Sequence, residues 1–152
     1  MTPQTVARIA AECPNIFGIK EASGDVEQMA AVVKAVVAVR EDFILVSGDD
    51  GLTVEAIRCG GKGVLSVLGH LYPAALKSLT TLAFEGNFEK AEYEIKRLEA
   101  IIDTLFVEGN PVGIKNALAT QNICTPTVRL PLVEASVELD IRQRMEIIRY
   151  EC

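Results

Sequence analysis

The chain has 152 residues, of which 49% are hydrophobic and 24% charged, and its formal net charge is −6. The hydrophobic share is enough for a domain with a packed core and excludes an intrinsically disordered chain. The negative charge disfavours nucleic acid and anionic membranes as partners, and no apolar run approaches the roughly 18 residues that span a bilayer.

The first half of the sequence alternates between helix and strand patterns. Apolar periodicity and end signals predict helices over residues 5–12, 26–39 and 52–59, with Asp25 as the N-cap of the second. Strands are predicted over residues 16–21 and 43–47 and in "GKGVLSVLG". The apolar run 43–47 is typical of a strand buried on both faces, as in a parallel sheet. Alternating elements of these lengths indicate βαβ units.

The pattern becomes mostly helical after Pro73. Helices are predicted from residue 74 and over residues 87–106, 111–121 and 134–150. The 87–106 helix carries one apolar stripe, formed by Ala91, Ile95, Leu98, Ile102 and Leu105. We therefore expect strand–helix units followed by a helical layer.

The first predicted strand lies within "NIFGIKEASGD" and brings a lysine into an apolar context. Because side chains alternate along a strand, Gly18 and Lys20 share one face. Phe17, Ile19 and Glu21 share the other face, which suits packing under helices. Glycine inside a strand often marks the close approach of a ligand, so Gly18 could leave room for something bound at Lys20.

Lys20 also stands at the carboxyl end of its strand, where sites form in parallel α/β proteins. A lysine there can attack a carbonyl and form an imine, provided that burial favours the neutral amine. The alternative is a structural lysine that caps backbone carbonyls or pairs with a carboxylate. The residues alone leave both interpretations open.

Other polar residues give weaker indications. Lys62 lies in "GGKGV", which lacks the spacing of a phosphate-binding loop, and we interpret it as a solvated turn residue. Asp49 and Asp50 are adjacent carboxylates, but a metal site needs more oxygen ligands nearby. A helix N-cap at Asp50 and a tight turn at Gly48 explain the same letters. His70 is interpreted as a residue at the start of a helix.

The cysteines Cys13, Cys59, Cys124 and Cys152 stand far apart in the sequence. This spacing disfavours a disulfide framework or a zinc site and favours free thiols. The N-terminus has no basic stretch leading into an apolar core, so we see no signal peptide and expect a cytoplasmic protein.

Four longer stretches carry a resemblance to a known family: "NIFGIKEASGD", "FILVSGDDG", "GGKGVLSVLGHLYP" and "LFVEGNPVGIKNAL". In this order and spacing they resemble the dihydrodipicolinate synthase / N-acetylneuraminate lyase family, and "VRLPL" resembles its last segment. The resemblance implies an α/β fold, namely the C-terminal part of a (β/α)8 barrel. Residues 1–72 would supply the last three strand–helix units, and residues 73–152 a C-terminal helical region.

The family resemblance also implies an activity. Its members are class I aldolase-type lyases, and here Lys20 would form an imine with pyruvate, with no metal or cofactor. Gly48 and Leu65 would line the pyruvate pocket together with Gly18. "KEASGD" and "SGDD" favour the branch that condenses pyruvate with aspartate semialdehyde in lysine and diaminopimelate biosynthesis. An N-acetylneuraminate lyase or keto-deoxy sugar acid aldolase activity, or a non-catalytic assembly role, are the alternatives.

The chain is short for such a barrel, which takes around 250 residues. By the resemblance the first five strands are absent, and three strands leave open edges with unpaired backbone groups. We therefore expect completion by a second copy or by a complementing N-terminal half. Without the missing strands Lys20 would be hydrated, so we expect the isolated chain to be weakly active or inactive.

Overall fold

The structure is a computed structural model, and it describes residues 1–136. These residues form two compact units. The first comprises Met1–Ser66 with Thr80–Ala91, and the second comprises Val67–Leu79 with residues 92–136. No helix among the described residues is long and apolar enough to cross a membrane.

The first unit contains the parallel strands and the helices that cover them. Its elements are α1 (Pro3–Glu12), β1 (Gly18–Glu21), α2 (Val26–Val37), β2 (Ile44–Ser47) and α3 (Thr53–Arg58). The strands pair in parallel, and Lys20 lies opposite Val46. The predicted helices and two of the predicted strands are confirmed, with ends that differ by one to two residues.

The helix starts follow from local chemistry. The Thr2 hydroxyl accepts a hydrogen bond from the Thr5 amide at 3.2 Å, and Pro3 occupies the first turn of α1. The Asp25 carboxylate accepts one from the Gln28 amide at 3.1 Å, which confirms Asp25 as the N-cap of α2.

The predicted third strand is reduced to a single bridge, between Ser47 and Val64. Residues 62–65 still run beside β2. The backbone amide of Lys62 donates to the Leu45 carbonyl at 2.7 Å, and the backbone amide of Ser47 donates to the Gly63 carbonyl at 2.8 Å. Gly63 has a φ of +132°, which lies outside the range of a strand. This backbone interrupts the strand that the apolar pattern predicts.

One face of the sheet packs on helices, and the described residues leave the other face open. Ile19 and Leu45 face the helices, where the core consists of Val6, Ala10, Met29, Val32, Val36, Phe43, Leu45 and Ala56. The expectation that β2 is buried on both faces is wrong, because Ile44 and Val46 are only half-buried.

Phe17 does not pack under the helices as predicted and is 66% exposed. The regular strand begins only at Gly18, so the alternation of side chains does not constrain the residue before it.

The second unit is helical. Two helices, Pro73–Phe84 and Phe88–Phe106, contain residues of both units. A 3₁₀ turn at Leu68–His70 precedes α4 (Pro73–Phe84), α5 (Phe88–Phe106) and α6 (Val112–Thr120). The predicted stripe of α5 is confirmed, since its five residues are all buried. Gly113 of α6 lies against the Leu105 carbonyl, where a Cβ would come within 2.1 Å. The predicted final helix over residues 134–150 falls almost entirely outside the described residues.

The guanidinium of Arg40 fastens the loop between α1 and β1. Its Nη1 donates to the carbonyls of Ile16 at 2.8 Å and Pro14 at 3.4 Å. Its Nε donates to Asp42 at 2.9 Å, and this hydrogen bond raises the pKa of Arg40 and lowers that of Asp42. A planar fork can make these bonds at once, and a lysine ammonium cannot reproduce them. Arg40 therefore holds the segment from which β1 begins.

We predict that Arg40→Lys lowers the midpoint of thermal unfolding by about 5 °C, because the charge remains but the bonds to Pro14 and Ile16 are lost. Circular dichroism at 222 nm would measure the transition. Arg8→Lys is the matched control, since Arg8 makes an exposed ion pair with Glu12 at 3.9 Å and no other polar contact within residues 1–136. Equal midpoints for the two variants would contradict this role for Arg40.

Candidate functional site

Lys20 lies in an open groove on the face of the sheet that no described helix covers. Its side chain is exposed, and the groove has a volume of about 460 Å³. The surface of the groove is almost entirely apolar, and its lining consists of Asn15, Ile16, Phe17, Gly18, Ile19, Lys20, Ile44, Val46 and Leu65. Lys20 thus belongs to the lining of a largely hydrophobic depression at the end of β1.

A structural role for Lys20 would require a carbonyl or carboxylate partner for its ammonium, and residues 1–136 provide none. Among the residues that the structure describes, the Lys20 ammonium makes no hydrogen bond and no ion pair. Its amine therefore neither caps a carbonyl nor neutralises a carboxylate there. Within the described residues, the amine is left available to a molecule that binds beside it.

Two of the predicted pocket residues, Gly18 and Leu65, line the same groove as Lys20. Leu65 is 56% exposed and contributes apolar surface. The space beside Gly18, however, is occupied by Ile44, since a Cβ on Gly18 would lie 2.6 Å from Ile44 Cγ1. Packing between the paired strands is thus a sufficient reason for glycine at this position, without a ligand.

Gly48, the third predicted pocket residue, lies directly against the lysine side chain. A Cβ on Gly48 would lie 2.7 Å from Lys20 Cε and 2.5 Å from Ala22 Cβ. The Gly48 amide donates to the Glu21 carbonyl at 2.6 Å, which carries the pairing of β1 and β2 one residue past the end of β2. The structure thus brings Lys20 and Gly48 together through the strand register.

The Asp49–Asp50 pair behaves differently from the prediction. The N-cap of α3 is Leu52, with no side-chain hydrogen bond, so the expectation that Asp50 caps this helix is wrong. Asp50 is buried, and its carboxylate accepts a hydrogen bond from the Ser66 hydroxyl instead. Among residues 1–136, no three His, Cys, Asp or Glu side chains gather as a metal site requires.

The other weakly indicated residues lie outside the groove. Lys62 is exposed, as predicted. His70 is also exposed, but it ends a 3₁₀ turn rather than starting a helix. Cys13, Cys59 and Cys124 are free thiols, and burial raises the pKa of Cys59, which disfavours its reactive thiolate.

Glu21 is a residue whose importance the sequence pattern did not reveal. It follows Lys20 but points to the opposite face, where it is only 5% exposed. Its carboxylate accepts hydrogen bonds from the Ser23 amide at 2.7 Å and the Gln28 side chain at 3.4 Å. Burial raises the pKa of Glu21, but these hydrogen bonds together outweigh burial and bring the pKa below its ordinary value. The turn that follows Lys20 is thereby tied to α2.

Comparisons with known proteins agree on one family. Residues 1–148 match the Dihydrodipicolinate synthetase family. A 4-hydroxy-tetrahydrodipicolinate synthase of Porphyromonas gingivalis is 46% identical over 134 residues, which are 88% of this chain and 44% of that protein. One of Archaeoglobus fulgidus is 42% identical over 137 residues, which are 90% of this chain and 46% of that protein.

Solved structures give the same family. Dihydrodipicolinate synthase from Thermotoga maritima superposes with a TM-score of 0.90 at 35% identity, covering 96% of this chain and 51% of its own. The chloride-inhibited enzyme from Acinetobacter baumannii, complexed with pyruvate, superposes with a TM-score of 0.88 at 28% identity, covering 96% and 50%. The chain thus spans about half the length of the relatives it matches.

We predict that Glu21→Gln lowers the free energy of unfolding by about 1 kcal/mol near neutral pH, because a buried charged acceptor is lost. The folded-state pKa of Glu21 is depressed, so its stabilisation is present above the unfolded-state pKa and is lost as the pH falls through the folded-state pKa. The difference between the two proteins should therefore shrink from about pH 5 downwards.

Urea denaturation at several pH values would measure this difference. Glu27→Gln, at an exposed position in the first turn of α2, is the matched control and should show no such convergence. A difference between Glu21→Gln and the parent that stays constant from neutral to acid pH would contradict the role of the Glu21 charge.

Proposed function

The chain belongs to the dihydrodipicolinate synthetase family, and on that premise we propose that it supplies the imine-forming lysine of a pyruvate-dependent lyase. Its fold is part of the (β/α)8 barrel of these proteins. The observation that carries the proposal is the position of Lys20 at the carboxyl end of a parallel strand, in the lining of an apolar groove. Within residues 1–136 its amine has no hydrogen-bond or ion-pair partner.

The proposed chemistry begins with the Lys20 amine. Its neutral form attacks the carbonyl carbon of pyruvate, and loss of water from the adduct leaves an imine. Loss of a proton from the pyruvate methyl group converts the imine to an enamine. The enamine carbon then bonds to the carbonyl carbon of an aldehyde, whose oxygen takes up a proton, and water releases the product from Lys20. No electrons enter or leave overall, so these steps require no redox cofactor.

The residues around Lys20 would form the binding site for pyruvate. Gly48 would form the wall beside the amine, while Gly18 and Leu65 would line the space that pyruvate occupies. The relative from Acinetobacter baumannii is a complex with pyruvate, which supports this substrate. The relatives named 4-hydroxy-tetrahydrodipicolinate synthase support aspartate semialdehyde as the aldehyde.

Completion of the site is a further part of the proposal. Ile16, Phe17 and Leu65 leave apolar surface open around Lys20, and the relatives are about twice as long as this chain. We propose that additional polypeptide covers this face, from a second copy or from a complementing half. Covering would exclude water and favour the neutral amine that the chemistry needs.

We predict that pyruvate and sodium borohydride convert Lys20 to a stable secondary amine, because borohydride reduces the imine. Peptide mass spectrometry should find the added three-carbon acid on the peptide that contains Lys20. Lys20→Arg should abolish the adduct, since a guanidinium forms no imine. Lys62→Arg, which removes an exposed lysine outside the groove, should leave the adduct unchanged. An adduct spread evenly over exposed lysines would count against a specific site.

We also predict that the chain associates through the open face. Sedimentation velocity should give a mass above that of the monomer, and Phe17→Glu should lower it, because a charge cannot be buried there at low cost. Phe84→Glu is the matched control, at an exposed phenylalanine outside the groove. A stable, dispersed monomer in the parent protein would contradict completion by a second copy.

A further inference from the structure

The loop after β2 contains a buried carboxylate, that of Asp50. Asp50 is 1% exposed, and moving a carboxylate out of water is costly unless hydrogen bonds compensate. The Ser66 hydroxyl donates to its Oδ1, which links the loop after β2 to the end of the 62–66 segment. This link is not part of helix capping, because α3 begins without a side-chain cap.

The loop between β2 and Asp50 is held by further hydroxyl groups. The Ser47 hydroxyl donates to the Asp49 carbonyl at 2.7 Å and accepts from the Asp49 amide at 3.0 Å. The Thr53 hydroxyl donates to the Asp50 carbonyl at 2.7 Å. Gly48 lies between these anchors, so its backbone is fixed on both sides.

The position of Gly48 in turn limits that of Lys20. Gly48 lies so close to Lys20 Cε, the carbon that carries the amine, that a Cβ on Gly48 would collide with it. A shift of the Gly48 backbone by a few tenths of an ångström either presses on Cε or opens a gap beside it. The geometry of the amine therefore depends on a loop whose far end is tied down by Asp50.

We propose that Asp50 and Ser66 are positioning residues, whose hydrogen bond holds Gly48 against the Lys20 side chain and so orients the imine-forming amine. The inference rests on the proposed function for its effect on chemistry. Its structural part, the control of Gly48, stands apart from activity and can be measured separately.

Hydrogen exchange of the Gly48 amide tests the structural part, because this amide donates to the Glu21 carbonyl. In Ser66→Ala and Asp50→Ala we expect its exchange to become about tenfold faster, with the core amides of α2 unchanged. Asp50→Asn keeps an acceptor for Ser66 and should restore most of the protection. Ser78→Ala, a serine on the exposed surface of α4, is the matched control.

Borohydride trapping with pyruvate tests the chemical part. Both alanine variants should lower the limiting rate of adduct formation on Lys20 about tenfold, while the pyruvate concentration for half-maximal trapping changes little. A merely structural role would not produce this split together with recovery in Asp50→Asn.

The outcomes separate the two proposals. If the parent chain forms no adduct, alone or with its completing polypeptide, the proposed function fails and the exchange measurement still decides whether Asp50 controls Gly48. If the parent forms the adduct and the alanine variants do so at its rate, the positioning role is overturned. Unchanged exchange at Gly48, or loss of protection throughout α2, would also overturn it.

Discussion

The parallel pairing of β1 with β2 is the constraint on which the site depends. It places Lys20 opposite Val46 and brings Gly48 to the amine-bearing end of the lysine side chain. A slip of one residue would turn Lys20 towards the helices and Glu21 towards the groove. The core under the sheet prevents this slip, because Ile19 and Leu45 would then lose their packing.

Two charged residues that are adjacent in the sequence, Lys20 and Glu21, thus lie on opposite faces of the sheet. Glu21 is buried on the helix side, where hydrogen bonds from Ser23 and Gln28 hold its charge. Lys20 is on the open side and has no such bonds among the described residues. One charge thus serves the structure, and the other is the group for which we propose a chemical role.

Much of this arrangement can be predicted from the sequence where the signal is local. The Asp25 cap and the apolar stripe of α5 depend on neighbours within one or two helical turns, and both are confirmed. The strand that carries Lys20 is also predicted correctly. The chemical role proposed for Lys20 rests on the family resemblance as well as on residue type, since alternation alone leaves a structural lysine possible.

The predictions that are wrong depend on a local backbone conformation or on contacts between residues far apart in the sequence. The apolar pattern predicts a third strand, but the positive φ of Gly63 interrupts it. The usual preference of aspartate for helix starts pointed to a cap at Asp50, and only the fold shows that Ser66 is its partner. Phe17 reads as a core residue, yet its face has no cover in the described chain.

The central claim is that pyruvate becomes covalently attached to the nitrogen of Lys20. Carbon-13 NMR of the chain with pyruvate labelled at its carbonyl carbon tests this most directly, with any completing polypeptide present. We expect a signal for an imine carbon that is absent in Lys20→Arg. Spectra that show only free pyruvate, at saturating concentration, would contradict the account.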